Sequence, residues 1–284
     1  MHPFPSASGT KRGSSVRRLV LRPLIGLTLA AAITTPAMEL SAKSSVIPES
    51  EKVLFEERVL MPSPGEIFAA LDRMGVRDWS GAASFDTRYD YPDNVLRALN
   101  LGVRAADGFL AIQARDKAKL GEMISVIMPL AEELMVGETL LAEGRRIEEM
   151  ASREEWDALR MELDSLRRKI IAEMERLGDQ DLALLVSAGG WLEGLRATTA
   201  TLEMSYDPRA SSLLHQPALV KHFITRIQAL RPEMRNHPAV QRLSIELESI
   251  RNLIDVDFGE PVPQKNVTTL HKLSETLVEE IEAG

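Results

Sequence analysis

The stretch NLGVRAADGFLAIQARD, Asn100–Asp116, decides the fold class. Its apolar residues recur at helical intervals, yet Arg104 and Asp107 stand three residues apart in its middle. On a wheel of roughly 100° per residue, Arg97, Asn100, Arg104, Asp107 and Arg115 fall within a sector of about 80°. Leu96, Leu99, Leu101, Val103, Phe109, Leu110 and Ile112 occupy the remainder, interrupted only by Gln113 and Asp116. A mostly apolar helix with one narrow polar stripe has three uses for that stripe. It meets water, it meets a partner helix, or it lines a polar cavity. In the last two, Arg104 and Asp107 form a desolvated pair that needs further hydrogen bonds.

The flanking sequence carries the same helical period, with no sustained alternation of strand type. Ser63-Pro64 marks a helix start, and Asp93 caps the helix holding the opening stretch, expected to run to about Lys117. Further helices are expected over about 118–135, with Pro129 inside, and about 138–150. Ser152-Arg-Glu-Glu155 reads as a capping box before a seam of Trp156, Leu159, Leu163, Leu166, Ile170, Met174 and Leu177. That seam suits a long hairpin arm or a bundle helix. Asp179, Asp207-Pro208, Gln216-Pro217 and His237-Pro238 mark later starts, and Val267, Leu270, Leu277 and Ile281 give an amphipathic last helix.

One later helix, about 181–204, places Ala183, Ser187, Gly190, Gly194, Ala197 and Thr201 on one stripe. Glycine inside a helix costs roughly 1 kcal/mol against alanine, so the stripe needs a reason. Close approach of another backbone is one, and Ala98, Gly102 and Ala105 of the opening helix are the complement. Room for a flat ligand is the other. The fold expected is all-α, a multi-helix bundle of roughly eight or nine helices with a close-packed central helix pair.

Composition narrows function. The chain is 284 residues long, with 44% hydrophobic but only 5% aromatic residues, so its core rests on aliphatic side chains. Lys11, Arg12, Arg17, Arg18 and Arg22, then the apolar run Leu24–Ile33, then small residues follow the order of a signal peptide. Cleavage is expected after Ala37 or Ala42; residues 1–42 are the signal, 43–62 a linker and 63–284 a single helical domain. Arg17–Arg22 loosely resembles a twin-arginine signal, with Val16 and Val20 departing from it. Losing residues 1–42 removes five basic residues and one acidic residue, which moves the net charge from −8 to −12. An acidic chain lacks the counterion-release term of nucleic-acid binders and the attraction to anionic lipid. No nucleic acid and no stable membrane insertion after signal removal are therefore expected.

The absence of cysteine excludes disulfides, thiolate metal sites, iron–sulfur clusters and a cysteine nucleophile. With an export signal it suits a bacterial periplasm or exterior. There is no HExxH, GxSxG or phosphate loop. No catalytic residue, metal ligand or cofactor is assigned. The most site-like constellation is the loop over 76–92, with Trp79, Arg88, Tyr89 and Tyr91, beside the stripe of Arg97, Asn100, Arg104 and Asp107. These eight residues are the candidate binding residues. The expectation is an exported, non-enzymatic binding or scaffold protein with an unknown protein or small-molecule partner. A small-ligand receptor, with a pocket between the 76–92 loop and the Arg104/Asp107 stripe, is the alternative. A carboxylate-dependent enzyme using Asp107 or a loop carboxylate is the third.

Overall fold

The computed structural model describes residues 64–73, 75, 79, 82–83, 85–257 and 259–284. The expected signal peptide, its cleavage sites, the 43–62 linker and the Ser63 cap lie outside them. Among the described residues the chain is all-helical with no strand, as its periodicity implies. Helix α1 is Pro64–Arg73, α2 is Asn94–Gln113, α3 is Lys117–Glu133, α4 is Gly137–Ser152, α5 is Trp156–Arg176 and α6 is Gln180–Met204. The remaining helices are α7 (Pro208–Ser211), α8 (Pro217–Gln228), α9 (Pro232–Arg235), α10 (Pro238–Ile254) and α11 (Gln264–Ala283).

Helix α2 begins where Asp93 accepts hydrogen bonds from the backbone N–H groups of Val95 at 2.9 Å and Leu96 at 3.0 Å. Such a cap satisfies two donors that the helix itself cannot. The helix ends at Gln113, four residues short of the expected boundary, because Arg115 turns left-handed with φ of 56°. Asp116 N–H then closes back on Ala111 O at 2.8 Å. The same turn recurs three times. Met135, Glu154 and Gly178 have φ of 63°, 57° and 87°, and Val136, Glu155 and Asp179 bond back five residues to Ala131, Met150 and Met174. This is the Schellman closure, in which the left-handed residue lets the chain satisfy terminal carbonyls and reverse. Four such reversals return α6 to α2, the most extensive helix contact in the fold.

The turns also correct two expectations. Ser152 is the last residue of α4, and its hydroxyl bonds Glu149 O at 2.7 Å, so it forms no capping box with Glu155. Asp179 precedes α6 without a side-chain capping bond. Helices α7 to α10 start differently, each on a proline, whose fixed φ and missing N–H suit a first turn. Helix α5 buries Leu159, Leu166, Ile170 and Met174 against α4, α2 and α6. Leu177, the end of the expected seam, is largely exposed. The seam therefore belongs to a bundle helix and not to an arm.

The central pair closes at glycine, though not wholly at the residues expected. A Cβ added at Gly102 would lie 2.0 Å from Val186 O and 2.6 Å from Gly190 N. One added at Gly189 would lie 2.1 Å from Leu99 O. Gly189, outside the expected stripe, is thus as tightly confined as Gly102. Gly194, inside the stripe, has no neighbour among the described residues within 4 Å of an added Cβ. Helix α11 packs on α6 and α2, and α10 joins it to α8.

The two kinds of glycine respond oppositely to alanine. Gly102→Ala must push two backbones apart, so a loss of at least about 3 kcal/mol is expected, the upper end of overpacking costs. Gly194→Ala adds only helix propensity and should gain about 1 kcal/mol. Urea denaturation of both variants measures this; equal effects would refute the assignment.

Candidate functional site

The middle of the polar stripe of α2, at Asn100, Arg104 and Asp107, is closed to water. Arg104 and Asp107 are each 0% exposed, enclosed by α6, α11 and the segment before α2. Arg104 reaches three carboxylates. Its Nη1 donates to Glu282 Oε1 of α11 at 2.6 Å and to Asp107 Oδ2 at 3.2 Å. Its Nη2 donates to Asp86 Oδ2 at 2.7 Å and stands 3.5 Å from the Tyr91 hydroxyl. A planar guanidinium with several donors suits such convergence, which the point charge of lysine could not reproduce.

Helix α6 supplies the second half of the cluster. Glu193 and Arg196, three residues apart, form a two-pronged pair at 2.5 and 2.7 Å. Glu193 is fully buried and Arg196 only 8% exposed. The Asp107 and Glu193 carboxyl groups lie close enough to influence one another, which joins the two halves. Two neighbouring buried carboxylates oppose each other's ionisation, which favours a proton on one of them. Asp107 Oδ1 meets no N–H or O–H donor among the described residues, which leaves it free to carry that proton. Burial, reinforced by the charge of Glu193, holds the Asp107 carboxyl well above the usual range. Burial also pushes Glu193 up, while the Arg196 hydrogen bonds oppose it. Of the two, Asp107 is the carboxyl pushed further toward its protonated form. Burial works against the Arg104 charge, but Glu282 and Asp107 more than offset it. Burial raises the Tyr91 phenol, against the pull of Arg104.

Two further side chains fasten α11 at the same place. Asn100 Nδ2 donates to Leu96 O and to Ile281 O, both at 2.9 Å. Arg88 Nη1 donates to Glu282 O at 3.2 Å and to Ala283 O, and its guanidinium lies over the Tyr91 ring, 4.9 Å from the centroid. The last carbonyls of a helix lack internal partners, and here arginine and asparagine supply them.

Of the eight candidate binding residues, five assemble: Arg88, Tyr91, Asn100, Arg104 and Asp107. The other three lie apart. Trp79 is buried edge-on against Phe68, with centroids 5.2 Å apart. Tyr89 is 53% exposed. Arg97 bonds Asn94 at 2.9 Å and approaches Glu133 at 3.8 Å, on the outer side. Arg115 lies in the exposed turn after α2 and not on the stripe. Asp86, Glu193, Arg196 and Glu282 join the cluster without having been singled out as site residues. Glu193 and Arg196 carried a signal: an acid and a base at i,i+3 in a helix otherwise apolar or small on most sides. Glu282 carried none, since a glutamate near the end of a charged helix is ordinary.

Among the described residues, no three His, Asp or Glu side chains group as a metal ion would require. No described helix is long and apolar enough to cross a membrane.

Removing the Arg104 charge strands three carboxyl groups. Arg104→Met should cost about 3–5 kcal/mol, the range for breaking a buried pair, and a loss below about 1 kcal/mol by urea denaturation would refute a buried network. Asp107 gives the pH dependence. In the unfolded chain it ionises near about pH 4, and in the folded protein only at higher pH. Between those values unfolding releases a proton, so its stabilisation is complete below about pH 4 and is lost as pH rises through the folded value. Relative to Asp107→Asn, the wild-type protein should lose up to about 1.4 kcal/mol per pH unit across that window. Urea midpoints from about pH 4 to about pH 8 test this; parallel curves for the two proteins would refute it.

In comparisons with known proteins, no family model matches the chain, and neither a curated protein nor a solved structure matches it.

Proposed function

We propose that the protein is an exported, non-enzymatic helical binding or scaffold protein of the periplasm or the cell exterior. The observation that carries the non-enzymatic half is how its central charges are spent. Arg104 is bonded to Asp86, Asp107 and Glu282, and Arg196 to Glu193. A group so enclosed holds helices together and offers no reacting atom to a substrate. The same enclosure weighs against Asp107 as an exchanging acid or base, which would need a cleft. It also weighs against a receptor pocket under the 76–92 loop, because Asp86 and Tyr91 already occupy the approach to Arg104. Export rests on the basic, apolar and small order of residues 1–42, and suits a chain that holds its core without cysteine.

The test is the N-terminus and location of the protein expressed in a bacterial host. Cleavage should leave a chain starting at Met38 or Lys43 in the envelope or medium. A chain retaining Met1 in the cytoplasm would overturn export. Crosslinking of that mature chain in envelope extracts should then give one reproducible partner that the unfolded chain does not capture. A monodisperse protein with no such adduct would overturn the scaffold role.

A further inference from the structure

We propose that the open cleft between the starts of α2 and α10 and the end of α11 binds a small monocationic amine. The apolar body of the ligand lies on the cleft walls and its ammonium group meets Glu280. This goes beyond the scaffold reading, since it needs neither export nor a protein partner.

The cleft has a volume of about 470 Å³, within the range of roughly 300–1,000 Å³ that small-molecule sites occupy. Most of its wall is apolar. Pro92 and Leu96 come from the start of α2, Pro238 and Ala239 from that of α10, and Leu277 and Ile281 from the end of α11. Asp93, His237, Arg242 and Glu280 add the polar and charged groups. A mainly apolar wall with a few convergent polar side chains is the usual make-up of such a site. The Arg104 cluster contributes none of these residues.

The walls are fixed by the fold itself. Asp93 caps α2 through Oδ1. His237 Nδ1 accepts from the Ala239 N–H at 3.2 Å and so caps α10. In the neutral ring this leaves the Nε2 hydrogen to Asp93 Oδ2, 3.2 Å away, so one cap holds the other. Asn100 Nδ2, bonded to Leu96 O and Ile281 O, joins α2 to α11 at two residues that line the cleft. Walls set in this way lose little freedom when a ligand enters.

Charge selects the ligand class. Arg242 is the one permanent cation among the lining residues. Two carboxylates already hold it: Glu246 Oε1 lies 2.6 Å from Nη1, and Glu280 Oε2 lies 3.3 Å from Nε. Glu246 makes the shorter contact, and the second oxygen of Glu280 bonds no described residue. With Asp93, three carboxylates stand against one guanidinium. An entering anion would add to that surplus, whereas a cation relieves it. An ammonium group has three donors and no acceptor, which suits the unused oxygen of Glu280.

Full-length protein is titrated at low salt with tryptamine and with indole-3-propionate, similar in size and opposite in charge, following calorimetric heat and apparent melting temperature. Tryptamine should bind saturably and raise the melting temperature. Indole-3-propionate should bind at least about tenfold more weakly, because each nearby carboxylate attracts the one and repels the other. Glu280→Gln should weaken tryptamine by about two- to fivefold, the worth of a half-exposed ion pair. Ala239→Phe, which fills the cleft, should abolish tryptamine binding while keeping the helical spectrum. Should Ala239→Phe fail to fold, the Glu280→Gln comparison decides alone. No saturable tryptamine binding would overturn the proposal, as would equal affinity for the two ligands, unchanged tryptamine affinity in Glu280→Gln or wild-type affinity in a folded Ala239→Phe.

Discussion

A guanidinium with no access to water sets the terms for this fold. Taking the charge of Arg104 out of solvent costs several kcal/mol, and the cost is met only if carboxylates arrive from elsewhere in the chain. They come from the segment before α2, from α2 itself and from α11. These pieces are distant in sequence, Asp86 and Glu282 lying almost 200 residues apart. A single side chain therefore requires the two ends of the described chain to meet. The Asp107 proton balances the same centre. Were both Asp107 and Glu193 ionised, four carboxylates would face two guanidiniums; one retained proton lessens that excess. Buried ionic clusters of this kind are weak sources of net stability, and their better use is to specify one arrangement.

The charge cluster and the glycine contact are two aspects of one docking event. Gly102 lies two residues before Arg104 on α2, and Gly190 three residues before Glu193 on α6. Only when the two backbones touch can Asp107 reach Glu193, because neither carboxyl side chain is long. The Schellman turns make that approach possible by returning α6 to α2 after four reversals. Three of the four use a residue other than glycine in the left-handed region, where an L-residue pays about 1–2 kcal/mol. Packing of five successive helices carries that strain.

The sequence made the fold class legible because helical period survives any tertiary arrangement. The Asp93 cap, the proline starts and the pairing of the opening helix with the small-residue helix were legible for the same reason: each depends on local chemistry or on a face. Failures came where an outcome depends on two elements at once. Ser152 and Glu155 have the spacing of a capping box, but the Schellman turn uses Ser152 to end α4. Gly190 and Gly194 share a stripe on the wheel, yet an added Cβ would meet Gly102 O at the first and no described residue at the second, because α2 crosses α6 over only part of its length. At the candidate site, Asn100, Arg104 and Asp107 were visible as the stripe of α2, and Arg88 and Tyr91 in the loop before it. Its partners were not, since nothing local to Glu282 or Asp86 indicates that a buried arginine waits for it.

Helix α6 consequently faces two environments that need separate explanations. Where it touches α2, Gly189 and Gly190 are accounted for by the approach of a backbone, and its polar residues Glu193 and Arg196 pair with each other. Past that crossing, Gly194 and Thr198 have neither a backbone neighbour nor a hydrogen-bond partner among the described residues. A helix optimised only for stability would carry alanine and valine there, since both changes remove a cost without meeting an obstacle.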